Sequence, residues 1–421
     1  MKPSPYPLER ELEMRYYADD YPGIGGVLRT TPEDFVVDEI PIDFTGSGPY
    51  LICKVTRRSW EHQHAIHEIS KRLGISRKRI GWAGTKDRNA VASHYISLYK
   101  IDAEAVDRVS LKDITIEPIG QHQFGLGLGD LKGNRFAITI RGCQEENLGF
   151  IPGISETVHH GIPNYFGLQR FGAQKPVTHT VGLSILKGGY KEAVDLYIGE
   201  AFPNESDEVK EARRAFVSTG DAREALHALP VRLGFERAML DHLSKHQDDY
   251  EGALRTLPPK LLSMFVSAWQ SYLFNAALSE RFDRGLSLDE PEAGDTLIYT
   301  NGRSDRVTEK NLPIARHHLK RGRAVIAAFV PGSSSLQSPG PMEECMIRRS
   351  EEAGVDPSAF RDAAAFVGCA FDGASRAIAL KTEIASEITG DAVILRFSLP
   401  PGQYATSVCR EFMKGDPLTL V

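Results

Sequence analysis

Alternating apolar and polar residues predict several strands in the first third of the chain. Over residues 134–141, Phe136, Ile138 and Ile140 share one predicted face, because successive side chains of a strand point to opposite sides. Similar β-rich stretches occupy residues 27–42, 49–56, 79–83 and 91–99. This part of the chain is therefore expected to form an α+β domain with much sheet.

Helical spacing dominates the middle of the chain. Its clearest example is residues 262–282, whose apolar stripe consists of Leu262, Phe265, Val266, Trp269, Leu273 and Ala276. Further helices are predicted at residues 60–73, 191–198, 207–218, 223–227 and 404–412, a loop at 332–341 and a strand at 392–399. The order of sheet, helices and closing strand suggests a helical domain inserted into a β-rich one.

Composition narrows the class of protein. With 421 residues, two to three domains are expected, and 41% apolar with 25% charged residues is ordinary for a globular chain. The longest apolar run, residues 324–330, is too short for a membrane span, and no apolar signal segment begins the sequence. Five scattered cysteines without a CxxC pair predict a soluble protein of a reducing compartment, the cytoplasm.

Charge is concentrated in one block. The net charge is −6, but residues 51–100 contain eleven Lys or Arg and only three acidic residues. The same block holds four histidines and the aromatic residues Trp60, Trp82, Tyr95 and Tyr99. Cations among aromatic rings suit contacts with phosphates and bases, although a charge run alone is more often a solvated helix face.

Several kinds of site are not supported by the residue spacing. His62, His64 and His67 do not share a helix face, so no metal site is predicted. The glycines at 23–26 and 125–129 do not form a GxGxxG or P-loop motif, and turns are the better interpretation. No GxSxG elbow and no paired cysteine nucleophile occur. No bound cofactor is expected.

Asp87 is the remaining candidate for chemistry. It lies in a predicted turn over residues 84–89, flanked by Lys86 and Arg88, within the basic block. Neighbouring cations favour an ionised carboxylate, and that form is required of a carboxylate nucleophile. From the residues alone, however, an Asp that bonds to its own turn backbone is the commoner case.

Five segments then resemble the TruD family of tRNA pseudouridine synthases. Residues 81–90 (GWAGTKDRNA) are similar to its signature around the catalytic Asp, and residues 163–172 (PNYFGLQRFG) to its NYFGxQRFG motif. Residues 131–136, 399–411 and 32–37 resemble its KGNxF, LPxGx[FY]ATSVxRE and PEDF segments, and Leu273-Phe274-Asn275 also fits. These motifs occur in family order from about residue 28 to 412.

The chain departs from the family pattern in three places. Ala92 and His94 stand where the family usually has Thr and Gln, which suggests altered contacts behind the nucleophile. Arg29 stands where the family often has Lys. The positive charge is kept, but the planar guanidinium of Arg differs in geometry from the point charge of a Lys ammonium.

The resemblance implies isomerisation of uridine to pseudouridine in tRNA, most often at position 13, without a cofactor or metal. It implies Asp87 as nucleophile, Arg29 as its ion-pair partner, Phe136 as the ring that stacks on a flipped uracil, and Asn134 as a further active-site residue. The expected RNA-binding residues are Lys86, Arg88, Arg57, Arg58, Arg77, Lys78, Arg79 and Lys132. Asn164, Phe166, Gln169 and Arg170 are expected at a pocket edge or hinge.

The implied architecture is an α+β pseudouridine synthase core with a mixed or antiparallel sheet. It would comprise residues 1–162 and 372–421, interrupted by a family-specific α/β domain at 163–371. tRNA is the expected partner, with neither a membrane nor a protein partner implied. Two other classes stay open from the residues: a non-catalytic RNA-binding protein, and a nucleotide-dependent enzyme that uses the Gly-rich stretches.

Overall fold

The computed structural model describes residues 1–172, 175–202, 205–334 and 336–420. Ser335, inside the predicted loop at 332–341, lies outside the described residues. The chain divides into two compact units. The sheet unit comprises residues 18–162 and 380–421, and the helical unit comprises residues 1–17 and 163–379. In the described ranges no helix is long and apolar enough to cross a bilayer.

The sheet unit is built on a nine-stranded mixed sheet. Its main path runs in the order Ala385–Thr389, Ala392–Leu399, Leu131–Cys143, Phe35–Pro41, Val91–Tyr99, Tyr50–Arg58, Ile114–His122. Gly25–Val27 pairs with the third of these strands and Ile80–Trp82 with the fifth. Every pairing is antiparallel except that between Phe35–Pro41 and Val91–Tyr99. The prediction of an α+β fold with a mixed sheet is confirmed.

The predicted alternation decides how this sheet buries its core. Ile138 and Ile140 have no exposed surface and Phe136 is nearly buried, and they share a cluster with Val158, Val408 and Phe412. The unit's helices are His62–Arg72, Ala103–Asp107, Ile151–His160 and Ala405–Met413, with 3-10 helices at Pro32–Asp34, Arg77–Arg79, Glu145–Phe150 and Pro417–Leu420. A second cluster forms where His62–Arg72 packs its Ala65, Ile66 and Ile69 on the sheet.

The helical unit contains a long helix, Pro259–Asp283, where the sequence predicted residues 262–282. Its other helices are Pro7–Glu11, Leu168–Phe171, Thr178–Leu186, Tyr190–Val194, Asp207–Thr219, Ala222–Ala228, Gly234–Lys245, Tyr250–Arg255, Leu312–Lys320, Pro341–Glu352 and Pro357–Val367, and a π-helix at Asp195–Gly199. A four-stranded antiparallel sheet runs in the order Ser304–Arg306, Thr296–Tyr299, Ala324–Val330, Ala374–Ala377. Lys2–Pro3 pairs with Tyr16–Tyr17. Short strands at Ile162–Pro163 and Ala379–Leu380 contain two of the three points where the chain passes between the units.

The unit boundaries differ from the expected domain boundaries at both ends. Residues 1–17 belong to the helical unit, because Asn275 donates to the Leu12 carbonyl at 3.1 Å and Ser279 to the Glu13 carbonyl at 2.7 Å. Residues 372–379 belong there too, because Ala374–Ala377 is an edge strand beside Ala324–Val330. Both groups of residues were expected with the sheet unit.

Candidate active site

Asp87 lies in the segment between the strands Ile80–Trp82 and Val91–Tyr99, and the side chain is 51% exposed. The backbone of this turn is held by hydrogen bonds from Arg57, which is fully buried. Arg57 donates to the carbonyls of Lys86 at 2.6 Å and Asp87 at 3.2 Å, and also to that of Trp60. Burial lowers the pKa of Arg57. The buried Arg57 guanidinium therefore fixes the backbone of the turn that carries the exposed Asp87 carboxylate.

Arg29 meets the Asp87 carboxylate directly. Its Nη2 lies 2.6 Å from Asp87 Oδ2, and the guanidinium carbon lies 4.2 Å from the centre of the Phe35 ring. Arg29 has a backbone φ of 59°, which is uncommon for a residue other than glycine. Such conformations persist where surrounding contacts over-determine them, and they are frequent at functional sites.

Phe35 is anchored by the preceding 3-10 helix. Asp34 is buried, accepts the backbone N–H of Thr31 at 2.9 Å and pairs with Arg141 Nη2 at 2.7 Å. A charge-assisted pair of this kind is stronger than a neutral hydrogen bond. The PEDF segment therefore ties Phe35, and with it the Arg29 guanidinium, to the strand Leu131–Cys143.

Phe136 and Asn134 lie on the strand Leu131–Cys143, adjacent to Phe35–Pro41. The ring of Phe136 stacks on Phe397 at 5.4 Å between centroids and meets the Phe35 ring edge-on at 6.2 Å. Asn134 is opposite Glu39 in the strand register, and its Oδ1 is buried without a hydrogen-bond partner among the described residues. An unpaired buried acceptor costs free energy, so this oxygen is suited to accept a bond from a ligand.

Lys86 lies inside the protein. Its Nζ is 2.6 Å from Glu39 Oε2, and the two side chains are 5% and 1% exposed. The other carboxylate oxygen of Glu39 accepts the backbone N–H of Tyr95 at 3.1 Å. The sequence predicted RNA contacts for Lys86 and Arg57, but burial of both cations leaves them no access to a phosphate. Both hold the Asp87 turn instead.

The remaining predicted RNA-binding cations lie nearer to solvent. Arg88 and Lys78 are exposed, Arg58 pairs with Glu33, Arg77 donates to Gln63 at 2.9 Å and Lys132 pairs with Asp43 at 2.6 Å. Arg79 is half-buried, and its guanidinium donates to the carbonyls of Tyr99 at 3.0 Å and Lys100 at 2.8 Å. Five of these six side chains are therefore exposed, and four of the five lie in the basic block of residues 51–100.

His94, which stands where the family usually has Gln, places a second buried imidazole beside His62. His94 is fully buried, and its ring centroid is 4.8 Å from that of His62. Burial, assisted by nearby cations, holds the pKa of His94 well below its ordinary value, so its imidazole is neutral. Within the described ranges, no group of three His, Cys, Asp or Glu side chains is arranged to hold a metal ion.

The four pocket-edge or hinge residues belong to the helical unit. Asn164 donates to the Ala377 carbonyl and accepts from Arg376, both at 2.8 Å, and the Arg376 guanidinium lies 3.8 Å from the Phe166 ring centre. Arg170 lies 5.3 Å from the same ring, and Gln169 is half-buried in the helix Leu168–Phe171. Asn164 therefore links the beginning of the segment 163–379 to its end. The role of these four residues in a hinge or pocket edge remains a prediction.

Sequence reasoning missed Glu39, which positions Lys86, and the structural role of Arg57. Glu39 lies on the same strand face as the buried Phe35 and Val37, so an acidic residue among apolar positions was the available signal for it. Arg57 lies just past the predicted strand at 49–56, and the observed strand extends to Arg58, so the burial of Arg57 could not be read from the predicted element.

Comparison with known proteins gives a consistent result along the chain. Residues 11–412 match the family model described as tRNA pseudouridine synthase D (TruD). A Methanosarcina acetivorans protein named "Probable tRNA pseudouridine synthase D" is 37% identical, with all of both chains covered. One of the same name from Pyrococcus abyssi is 36% identical, over 96% of this chain and 100% of its own. A Methanosarcina mazei crystal structure described as TruD superposes with a TM-score of 0.80 at 36% identity, covering 97% of this chain and 98% of its own.

Proposed function

This chain belongs to the tRNA pseudouridine synthase D family, and we propose on that basis that it isomerises uridine to pseudouridine in tRNA, at position 13. The observation that carries the proposal is the Arg29–Asp87 pair, on a turn that a buried arginine holds, in a chain that matches the family over residues 11–412. An exposed, oriented carboxylate is what a nucleophile in this reaction needs.

The proposed reaction rearranges bonds without oxidation or reduction. The bond from ribose C1′ to uracil N1 breaks, the uracil turns, and a bond from C1′ to C5 forms. The proton that C5 loses is balanced by the one that N1 gains, so the product is an isomer of the substrate. We propose that Asp87 attacks the nucleoside and that no metal or organic cofactor takes part.

Three neighbours of Asp87 have separate proposed roles. Arg29 orients the carboxylate and stabilises its negative charge through the 2.6 Å contact. Phe136 provides an aromatic wall for the uracil, which must leave its stack to be reached. Asn134 offers its unpaired buried Oδ1 as an acceptor beside that wall.

The sheet unit is accordingly the proposed catalytic domain and the helical unit the family-specific insert. Folded tRNA would be bound mainly through its backbone and shape, with the target base extruded. The proposed phosphate contacts are Arg58, Arg77, Lys78, Arg79, Arg88 and Lys132. Such a substrate agrees with the cytoplasmic location that the sequence predicted.

Pseudouridine mapping tests this proposal. Unmodified tRNA transcript is incubated with wild type, Asp87→Asn, or Asp43→Asn as a matched exposed control, then labelled with carbodiimide and read by primer extension. Protein dialysed against EDTA, without added nucleotide, tests independence from a cofactor. We expect a stop diagnostic of pseudouridine at position 13 with wild type and Asp43→Asn, and none with Asp87→Asn.

Each other result has a defined meaning. A stop with Asp87→Asn would remove Asp87 as the nucleophile. A stop that requires added metal or nucleotide would overturn the cofactor-free reaction. No stop with any protein, together with tight tRNA binding, would favour the non-catalytic RNA-binding alternative.

A further inference from the structure

The loop of residues 123–130, here called the glycine loop, presents two apolar side chains to solvent. It connects the strands Ile114–His122 and Leu131–Cys143. Phe124 is 67% exposed and Leu128 is 74% exposed, the highest values among the large apolar side chains of the sheet unit over residues 18–162 and 380–420. Exposed apolar groups become significant when they share a place with other features of a binding surface.

The backbone of the glycine loop is fixed by hydrogen bonds at several points. Leu126 is buried between the two exposed residues, and its N–H donates to Ser97 Oγ at 2.9 Å. The N–H of Gly129 donates to the Ala83 carbonyl at 2.8 Å, and the N–H of Gly127 donates to Asp130 Oδ2 at 2.7 Å. The exposed side chains are therefore held in place before any ligand arrives, which reduces the entropy lost on binding.

Two glycines make this arrangement possible. Gly129 has a φ of 100°, which other residues rarely adopt. A Cβ on Gly81 would lie 2.3 Å from the Leu126 carbonyl oxygen, so the strand Ile80–Trp82 accepts the loop only because residue 81 is glycine. The loop is thus fitted to the strand that leads into the Asp87 turn.

The glycine loop also borders the proposed active site. Ala83, which binds the loop, precedes Asp87 by four residues, so their Cα atoms are at most about 14 Å apart. Directly after the loop, Leu131 lies close to Gly84 of the Asp87 turn, since a Cβ added to Gly84 would be 3.9 Å from Leu131 Cδ1. Stacked nucleotides of one strand advance about 3.4 Å each, so Leu128, next to Gly129, lies within a few nucleotides of Asp87. Phe124 packs on His122, which pairs with Tyr50 at the end of the strand Tyr50–Arg58 remote from Arg57, and is therefore further from Asp87.

The charges around the loop fit a nucleic acid. The exposed Lys100 lies 5.3 Å from the centre of the Tyr99 ring, and Tyr99 packs 5.0 Å from Tyr50, whose ring lies against Gly125 of the loop. The carboxylate of Asp130 accepts a backbone N–H within the loop, which offsets its charge locally. Apolar side chains beside cations can contact the faces of bases while the cations contact phosphates.

We infer that Leu128 contacts a nucleobase that flanks the target uridine and occupies space beside the base that leaves its stack, while Phe124, at the other end of the loop, contacts a nucleobase further along the same RNA. Apolar side chains that insert between bases hold nucleic acids in unstacked conformations. This inference rests on the proposed function, since it takes the RNA at Asp87 as the occupant. It gives the glycine-rich segment a function that does not depend on binding a phosphate.

The test compares Leu128→Ala and Phe124→Ala with Ile388→Ala. Ile388 is 52% exposed on Ala385–Thr389, the edge strand at the other end of the sheet path, and is a matched control. Single-turnover pseudouridine formation is measured on tRNA and on tRNA with abasic nucleotides on both sides of the target. We expect Leu128→Ala to react about tenfold more slowly than wild type on intact tRNA but at nearly the wild-type rate on the abasic tRNA, where its contact is already missing. Phe124→Ala should slow the reaction of both RNAs by the same factor, because its contact lies beyond the flanking nucleotides.

Binding without chemistry separates this inference from the proposed function. In the Asp87→Asn background, tRNA with 2-aminopurine beside the target should change fluorescence on binding, and the change should be lost with Leu128→Ala and kept with Ile388→Ala. If wild type forms no pseudouridine, the proposed function fails while this assay still decides the contact. Equal fluorescence changes in all three proteins, or equal rates for loop variants and wild type, would overturn the inference. Melting temperatures show that each variant is folded.

Discussion

Arg29 donates a 2.6 Å hydrogen bond to Asp87, a residue 58 positions further along the chain. The arginine side chain is 12% exposed and the carboxylate 51%, so a largely buried cation faces an accessible anion. Stacking on Phe35 and a positive backbone φ limit the positions that the guanidinium can take. The pair is therefore organised before a substrate arrives, as electrostatic catalysis requires.

Two substitutions of Arg29 should distinguish the effect of its charge on kcat from the effect of its planar shape. We expect Arg29→Lys to lower kcat about tenfold, because a point charge replaces the planar fork that lies over Phe35. Arg29→Gln should lower kcat about 1000-fold, because the cation is lost. Single-turnover rates on saturating tRNA measure this, and filter binding serves as the control for affinity. A rate within twofold of wild type for Arg29→Gln would contradict the role of the pair.

Arg57 should affect activity through the backbone of the Asp87 turn. Arg57→Met removes the bonds to the carbonyls of Lys86 and Asp87 and leaves buried acceptors unpaired, at a cost of about 3 kcal/mol. We expect a lower melting temperature and a reduced kcat with little change in KM. Arg396→Met, at an exposed position on the strand Ala392–Leu399, is the control and should leave both nearly unchanged. Equal behaviour of the two variants would show that the buried contacts do not position the turn.

Glu411 should make the stability of the protein depend on pH. Burial raises the pKa of its carboxyl from 4.5 to about 7, although Arg410 opposes this shift. The folded state therefore holds this proton more tightly than the unfolded state. Its contribution to the free energy of unfolding is greatest below pH 4.5 and declines by about 3 kcal/mol as the pH rises to 7.

Glu411→Gln tests this dependence. Glutamine keeps an oxygen that can accept the N–H of Ala18, which Glu411 binds at 2.9 Å, and it does not ionise. We expect the variant to melt at a higher temperature than wild type at pH 8 and at a similar temperature at pH 4.5. Parallel curves of melting temperature against pH for both proteins would contradict the assignment to Glu411.

The exposed cations should determine how strongly salt weakens tRNA binding. Arg77→Gln combined with Lys78→Gln removes two side chains of the 3-10 helix Arg77–Arg79. The slope of log K against log salt should fall in magnitude by about 1.5, since each phosphate contact contributes 0.7 to 0.9. Arg396→Gln, on the strand Ala392–Leu399 and paired with Glu387, is the control and should leave the slope unchanged. An unchanged slope in the double variant would place the bound RNA elsewhere.

Asn164 should matter chiefly for stability. Asn164→Ala removes the hydrogen bonds to the Ala377 carbonyl and from Arg376, and we expect the free energy of unfolding of the helical unit to fall by about 2 kcal/mol. Denaturation followed by intrinsic fluorescence measures this change. At a temperature where the variant is folded, kcat should stay within a fewfold of wild type. Full stability with lost activity would instead make Asn164 a residue of the reaction.

Local residue spacing was sufficient to identify the main secondary-structure elements and the family. Strict alternation at residues 134–141 identified the strand that carries Phe136, and the stripe of residues 262–282 identified the long helix, because burial of one face imposes a local period. Short motifs in family order identified Asp87 and Arg29 as candidates, and the structure has them in contact. These features depend on spacing within a segment or on a linear order of motifs.

Which cations are accessible depends on contacts between distant segments of the folded chain. Lys86 and Arg88 flank Asp87 symmetrically in the sequence, yet Lys86 is buried against Glu39, 47 residues away, and Arg88 is exposed. Likewise, residues 1–17 belong to the helical unit through bonds to Asn275 and Ser279, more than 250 positions away. The free energy of a buried polar group depends on partners that folding brings together, and neither local periodicity nor composition contains that information.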